Sequence, residues 1–155
     1  MQTVTYNIYS INEHPNKDAV FNWVRDNWHD LNQYEVDELI KSLKALVSNI
    51  GGSLDYGISQ VPDRGEFISI TDYNREALKE LNEKIEEYPL TGCFWDYEVI
   101  KGLINRELGS HCLKILHDST EYVYSDEGLT EMLEANDYYF KENGEFRVNN
   151  TCITK

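Results

Sequence analysis

Val36, Leu39, Ile40, Leu43, Leu46, Val47 and Ile50 recur at steps of three and four from about Tyr34 to Ile50, and Gly51-Gly52 follows directly. That period places every one of these side chains on one stripe of an α-helix, and paired glycines end a helix because they enter left-handed backbone at little cost. A stripe this broad has to be buried against other elements, so the chain folds around a core. At 155 residues and 41% hydrophobic it is the size of one domain. A domain of that length buries roughly two thirds of the surface its unfolded chain exposes, and needs neither metal nor disulfide to fold.

The remaining elements follow from local pattern. Val4, Tyr6 and Ile8 alternate with Thr3, Thr5, Asn7 and Tyr9, which predicts a half-buried strand over Thr3 to Tyr9. After turn residues Asn12 to Pro15, Ala19, Val20, Trp23, Val24 and Trp28 predict a helix over Asn16 to Trp28. Leu54 to Ser59 and Glu66 to Thr71 flank Pro62-Asp63-Arg64-Gly65 and predict a hairpin. Asp72 to Asn74 supplies N-cap residues for a helix from Arg75 to Tyr88, with Leu78, Leu81 and Ile85 inward and Pro89 as its stop. Two further helices are expected at Trp95 to Leu108 and Ser110 to Tyr122, broken by Gly109. Ser125 caps an acidic helix through Ala135, and Tyr138 to Lys141, Asn143-Gly144 and Glu145 to Val148 form a closing hairpin. These elements predict a single α+β domain over residues 1–148, with a small antiparallel sheet of four or five strands packed with five or six helices, and a frayed tail over 149–155. An α/β arrangement is the competing class.

Charge narrows the function. Fourteen Lys and Arg stand against 28 Asp and Glu, a formal net charge of −14. A folded surface of that sign repels nucleic acid and anionic lipid and suits a basic groove on another protein. Lys and Arg form no cluster beyond pairs, which disfavours direct nucleic-acid binding, including by a stacking platform of Tyr6, Tyr56 and Phe67. No apolar run approaches the ~20 residues of a membrane span, and the first ten residues lack the basic and apolar regions of a signal peptide. Cys93, Cys112 and Cys152 are odd in number and widely spaced, so neither a disulfide framework nor a zinc site is expected, and a reducing cytoplasm fits.

Two acidic rows are the candidate partner-binding residues. Glu76, Glu80, Glu83 and Glu87 fall on one narrow face of the predicted helix over Arg75 to Tyr88. Carboxylates ~5 to 6 Å apart imitate a row of phosphates and can engage Lys and Arg of a DNA- or RNA-handling protein. The competing reading is a solvated face in which Lys79 pairs with Glu83 and Lys84 with Glu80. The second row, Glu127, Glu131 and Glu134 with Asp126 and Asp137, has no Lys or Arg between Ser125 and Phe140. The helix dipole accounts for Asp126 and Glu127 but for none of the others. Tyr138 and Tyr139, next to this row, are the expected apolar anchors. Glu35, Asp37 and Glu38 are explained by their place in the first turn of a helix.

Motifs of catalysis are absent from the sequence: no HExxH, GxSxG, phosphate loop or GxGxxG occurs, and no carboxylate spacing favours a glycosidase or nuclease pair. His111 and His117 are six residues apart on one predicted helix, about 240° of rotation, so they do not converge on a metal. No catalytic residue, metal or cofactor is therefore expected.

The segment Tyr122-Val-Tyr-Ser-Asp-Glu, with Glu134-Ala-Asn-Asp-Tyr-Tyr-Phe and Asn143-Gly144-Glu145-Phe146, resembles a group of small acidic proteins widespread in phages and prophages. Tyr9-Ser10 before a helix containing Trp23, and Asp63-Arg64-Gly65 between two middle strands, are similar to further features of that group. The chain departs from it at Asn12-Glu13-His14-Pro15, where an acidic Asp-Glu-Leu-Ser stretch usually opens the first helix. The resemblance implies a mobile-element origin and a bacterial host cytoplasm, and it transfers no active site. Some members carry an antitoxin-like label.

The expectation is a non-enzymatic protein that binds and inhibits a basic nucleic-acid-handling host protein by nucleic-acid mimicry, as in anti-CRISPR or anti-restriction activity. Two alternatives stand beside it. One is a small-ligand protein or enzyme with a pocket around Cys93-Phe94-Trp95-Asp96-Tyr97, and the other an antitoxin-like protein that neutralises a basic toxin.

Overall fold

Where apolar residues recur at helical spacing the chain is helical, and where they alternate it is extended. The computed structural model describes residues 7–58 and 65–149, and in it the protein is α+β, with six helices and five strands among the described residues. Every strand pair is antiparallel, which excludes the α/β alternative. The strands divide into a sheet of three and a sheet of two. The chain divides correspondingly into two units, residues 1–31 with 121–155, and residues 32–120.

The first unit contains β1 (Ile8–Tyr9), α1 (Lys17–Asn27), α6 (Asp126–Glu134), β4 (Tyr138–Lys141) and β5 (Phe146–Asn149), in sheet order β1-β4-β5. Residues 3–6 of the predicted first strand lie outside the described residues, as do residues 150–155 of the predicted tail; Asn149 instead closes β5. Val20, Phe21 and Val24 of α1, Leu129 and Leu133 of α6, and Phe140 of β4 form the buried core. Trp28 makes edge contacts with Phe146 at 5.2 Å, Tyr138 at 5.5 Å and Trp23 at 5.7 Å between ring centroids. Such pairs contribute about 0.5–1.5 kcal/mol each beyond their buried area. Aromatic residues make up 12% of the chain, and Phe21, Trp23, Trp28, Tyr124, Tyr138, Phe140 and Phe146 are placed in or against this core.

His14 ties the turn before α1 to the sheet. Its Nε2 lies 2.7 Å from the Lys141 carbonyl oxygen and its Nδ1 accepts the Asn16 N–H at 2.9 Å, which together require the tautomer with the proton on Nε2. The Asn143-Gly144 turn joins β4 to β5 as expected, with Gly144 at φ +94°, and a Cβ there would stand 2.5 Å from the Ala19 backbone of α1. Only glycine satisfies both the left-handed backbone and that approach.

The second unit contains α2 (Gln33–Ile50), β2 (Ser53–Gly57), β3 (Phe67–Thr71), α3 (Arg75–Lys84), α4 (Trp95–Ile104) and most of α5 (Leu108–Val123). The stripe predicted for α2 is its buried face, with Leu39, Leu43 and Leu46 fully buried, and Gly51 closes the helix by donating its N–H to Val47 O. Truncating any of these leucines to Ala is expected to cost about 2–5 kcal/mol. The β2–β3 hairpin pairs Ser53 with Thr71 through Gly57 with Phe67, and Ile68 and Ile70 point into the core. Residues 59–64, including most of the predicted turn, lie outside the described residues.

Two boundaries differ from expectation. The predicted helix over Arg75 to Tyr88 ends at Lys84, four residues earlier, and passes into turns through Glu87. The break between α4 and α5 falls at Asn105 to Glu107, where Arg106 takes a left-handed φ of +58°, and not at Gly109. Gly109 sits inside α5 for a different reason: a Cβ there would lie 3.2 Å from the Ile68 carbonyl oxygen, so its absence lets α5 approach the backbone of β3.

Candidate partner-binding surface

Ser125 Oγ accepts the Gly128 N–H at 3.1 Å and so starts α6 where the sequence predicts. Leu129 and Leu133 bury one side of this nine-residue helix. Of its other positions Glu127, Glu131 and Glu134 are exposed, as is Asp126 at its start. At 100° per residue the three fall within an arc of about 60°. Asp137 is also exposed but stands in the turn before β4, beyond the helix.

The tertiary structure supplies cations and donors that the local sequence lacks. Arg25 of α1 pairs with Asp126 through Nη2 and donates from Nε to the Tyr124 carbonyl oxygen at 2.8 Å. Asp126 is therefore engaged within the fold and its charge is offset. Glu131 accepts a 2.6 Å hydrogen bond from the Tyr122 hydroxyl. That bond, followed by a small burial cost and the nearby negative charges of Glu131 and Glu127, pushes the Tyr122 hydroxyl up to about 12. No ion pair reaches Glu127, Glu131 or Glu134 among the described residues. Glu134 closes the helix, the end at which the dipole disfavours negative charge. Helix stability thus gives no reason for an acid there.

Tyr138 and Tyr139 diverge. Tyr138 packs against Trp28 and Phe146 and is part of the aromatic core edge, so it is not a free anchor. Tyr139 is half-buried on the same strand.

The second row belongs to the other unit. Glu76, Glu80 and Glu83 are exposed on α3, whereas Glu87, expected to continue the row, lies in the turn after the helix. The predicted pairs Lys79–Glu83 and Lys84–Glu80 are not within ion-pair distance, so the row is not neutralised in that way.

Histidine and cysteine positions carry no metal centre among the described residues. His111 Nε2 meets Glu98 at 2.6 Å and His117 Nε2 meets Glu66 at 2.8 Å, two separate pairs, in keeping with the rotation between them. Cys112 is fully buried, and burial with the negative charge of Glu98 pushes its thiol up to about 12.

In the aromatic middle segment Trp95 and Asp96 are buried while Phe94 and Tyr97 are exposed. Asp96 holds the loop before α4. Its Oδ1 accepts from Ser42 Oγ at 2.7 Å and Thr91 Oγ1 at 2.8 Å, and its Oδ2 accepts from the Thr91 and Gly92 amides at 2.8 and 3.0 Å. Burial pushes this carboxyl up, yet the hydrogen bonds from Thr91, Ser42 and Gly92 outweigh it and leave the pKa below the ordinary 3.8. Sequence spacing gave no sign of this knot, because Ser42 arrives from α2. The arrangement clamps a loop, and all four acceptor directions of the carboxylate are used internally.

The fold and surface define an α+β protein with an unpaired acidic helix face. The chain matches no protein-family model, no curated protein and no solved structure. No helix among the described residues is long and apolar enough to cross a membrane.

Proposed function

We propose that this is a non-enzymatic acidic accessory protein of a phage or prophage that binds a basic nucleic-acid-handling host protein, such as a CRISPR effector or restriction enzyme, and blocks its nucleic-acid groove. One observation carries the reading: Glu127, Glu131 and Glu134 stand exposed on one face of α6 with no cation among the described residues paired to them, although the fold brings Arg25 to Asp126 at the start of the same helix. Like charges at such spacing cost a helix a few tenths of a kcal/mol, a cost that a cationic partner offsets. Glu76, Glu80 and Glu83 form a second exposed row of the same kind, with Glu87 just beyond it. The contact is electrostatic, so affinity falls as salt rises.

The test is capture of partners from a bacterial host on the tagged protein at low and high salt, followed by a nucleic-acid binding assay on whatever is captured. The wild-type chain should displace nucleic acid from its partner, and an E127K/E134K variant should not. These two positions are preferred because E131K also breaks the Tyr122 hydrogen bond. Capture that is insensitive to salt, or equal displacement by the variant, overturns the reading.

A further inference from the structure

α3 presents three stripes rather than two. Leu78 and Ile85 face the core, Glu76, Glu80 and Glu83 form the acidic row, and Arg75, Lys79 and Asn82 fall at i, i+4 and i+7 on a third line. That third line forms one wall of a hollow of about 280 Å³, completed by Leu103 and Ile104 at the end of α4 and by Arg106 in the link to α5. A neighbouring hollow of about 390 Å³ shares Tyr73, Leu103 and Arg106 with the first and continues to Glu107 and to Gly109 and Ser110 in the first turn of α5.

Three cations therefore converge on one concavity in a protein of net charge −14. Among the described residues none of the three makes an ion pair within 4.0 Å, although acids outnumber bases two to one in the chain and Glu76, Glu80 and Glu83 occupy the same helix as two of them. Arg106 reaches the hollow from a left-handed backbone at φ +58°, a conformation that costs a residue with a Cβ on the order of 1 kcal/mol or more. Glu107 is the one acid lining either hollow and lines only the second, where it opposes an anion but accepts hydrogen bonds from hydroxyls.

We propose that the joined hollows bind a small phosphomonoester of a sugar or nucleoside, with the phosphate on Arg75, Lys79 and Arg106, the organic body over Tyr73 and Leu103, and a hydroxyl toward Glu107. Guanidinium and ammonium groups supply the charge-assisted donors a phosphate needs, and the volumes suit a ligand of that size.

The test is a ¹H–¹⁵N NMR titration of the full chain with AMP, adenosine and inorganic phosphate as separate probes, on wild type, R75E/K79E and K114E. Lys114 pairs with Asp118 and lines neither hollow, so K114E controls for a single charge reversal placed away from the site. AMP should give saturating shifts in residues 73–82 and 103–110, with the two partial probes binding the same residues more weakly. R75E/K79E should weaken AMP roughly tenfold or more, and K114E should change it little. The two substituted side chains are exposed, so the variant should fold, which its circular dichroism spectrum is to establish before the titration. Absence of saturating shifts, shifts scattered over all basic residues, or equal loss in both variants overturns the proposal.

Discussion

The Tyr122 hydroxyl donates a 2.6 Å hydrogen bond to Glu131 Oε2, so a carboxylate of the α6 acidic face is held by an aromatic side chain nine positions earlier and not by a cation. The bond needs the phenol proton, and the tyrosine is correspondingly reluctant to ionise.

Tyr122, at about 12 against an ordinary 10, should be among the last tyrosines to ionise in an alkaline absorbance titration. A pKa raised in the folded state stabilises the fold fully below pH 10, and that contribution is lost as the pH rises through about 12. E131Q should bring the Tyr122 transition back toward 10. An unchanged transition in E131Q would show that the hydrogen bond does not hold the proton.

Asp96 runs in the opposite direction. A carboxyl depressed in the folded state contributes stability above its ordinary pKa of 3.8, and the contribution disappears as the pH falls through the lower folded value. D96A leaves Ser42 Oγ and the Thr91 and Gly92 amides without their acceptor and should cost about 3 kcal/mol in urea unfolding at pH 7. D96N, which keeps the shape but turns donors toward donors, should cost about 2 kcal/mol. The difference between wild type and D96N should shrink in acid below pH 3.8.

Cys112 is fully buried and its thiol stands at about 12, so at pH 8 almost none of it is thiolate. Alkylation followed by peptide mapping should find it unmodified in the native protein and modified after unfolding in guanidinium. The half-buried Cys93 should react first of the two.

Gly128 lies in the first turn of α6, where alanine ordinarily gains about 1 kcal/mol of helix propensity. Here a Cβ would stand 2.0 Å from the Tyr122 carbonyl oxygen and 2.9 Å from its carbon. Backbone cannot yield as a flexible side chain does, so the clash wins and G128A should be destabilising by roughly 2 kcal/mol, read as a lower urea midpoint. A neutral or stabilising G128A would mean that the α5–α6 turn relaxes freely.

Helices and caps were largely legible in the sequence. The stripe read over Tyr34 to Ile50 corresponds to α2 at Gln33–Ile50, Asn74 caps α3 by accepting the Ala77 N–H, and Ser125 caps α6. The exposed acids Glu127, Glu131 and Glu134 were equally legible, since the spacing that buries Leu129 and Leu133 leaves them outside. All of these depend on neighbours three or four residues apart, and helical geometry makes such neighbours touch wherever the helix lies.

The sequence by itself therefore determined most element types and the exposed acidic positions of α3 and α6, and it left α+β and α/β both open until the antiparallel strand pairing was known. Only the tertiary structure decided that β1 pairs with β4 across more than a hundred residues, and that five strands make two sheets. It also decided that Arg25 reaches Asp126, that Tyr138 belongs to a core edge, and that Arg106 joins Arg75 and Lys79 around one hollow. The break at Asn105 to Glu107 has the same origin, because what recommends a glycine at position 109 is the backbone of β3. Such relationships depend on which packed arrangement buries the apolar stripes best, and that choice is made over the whole chain at once.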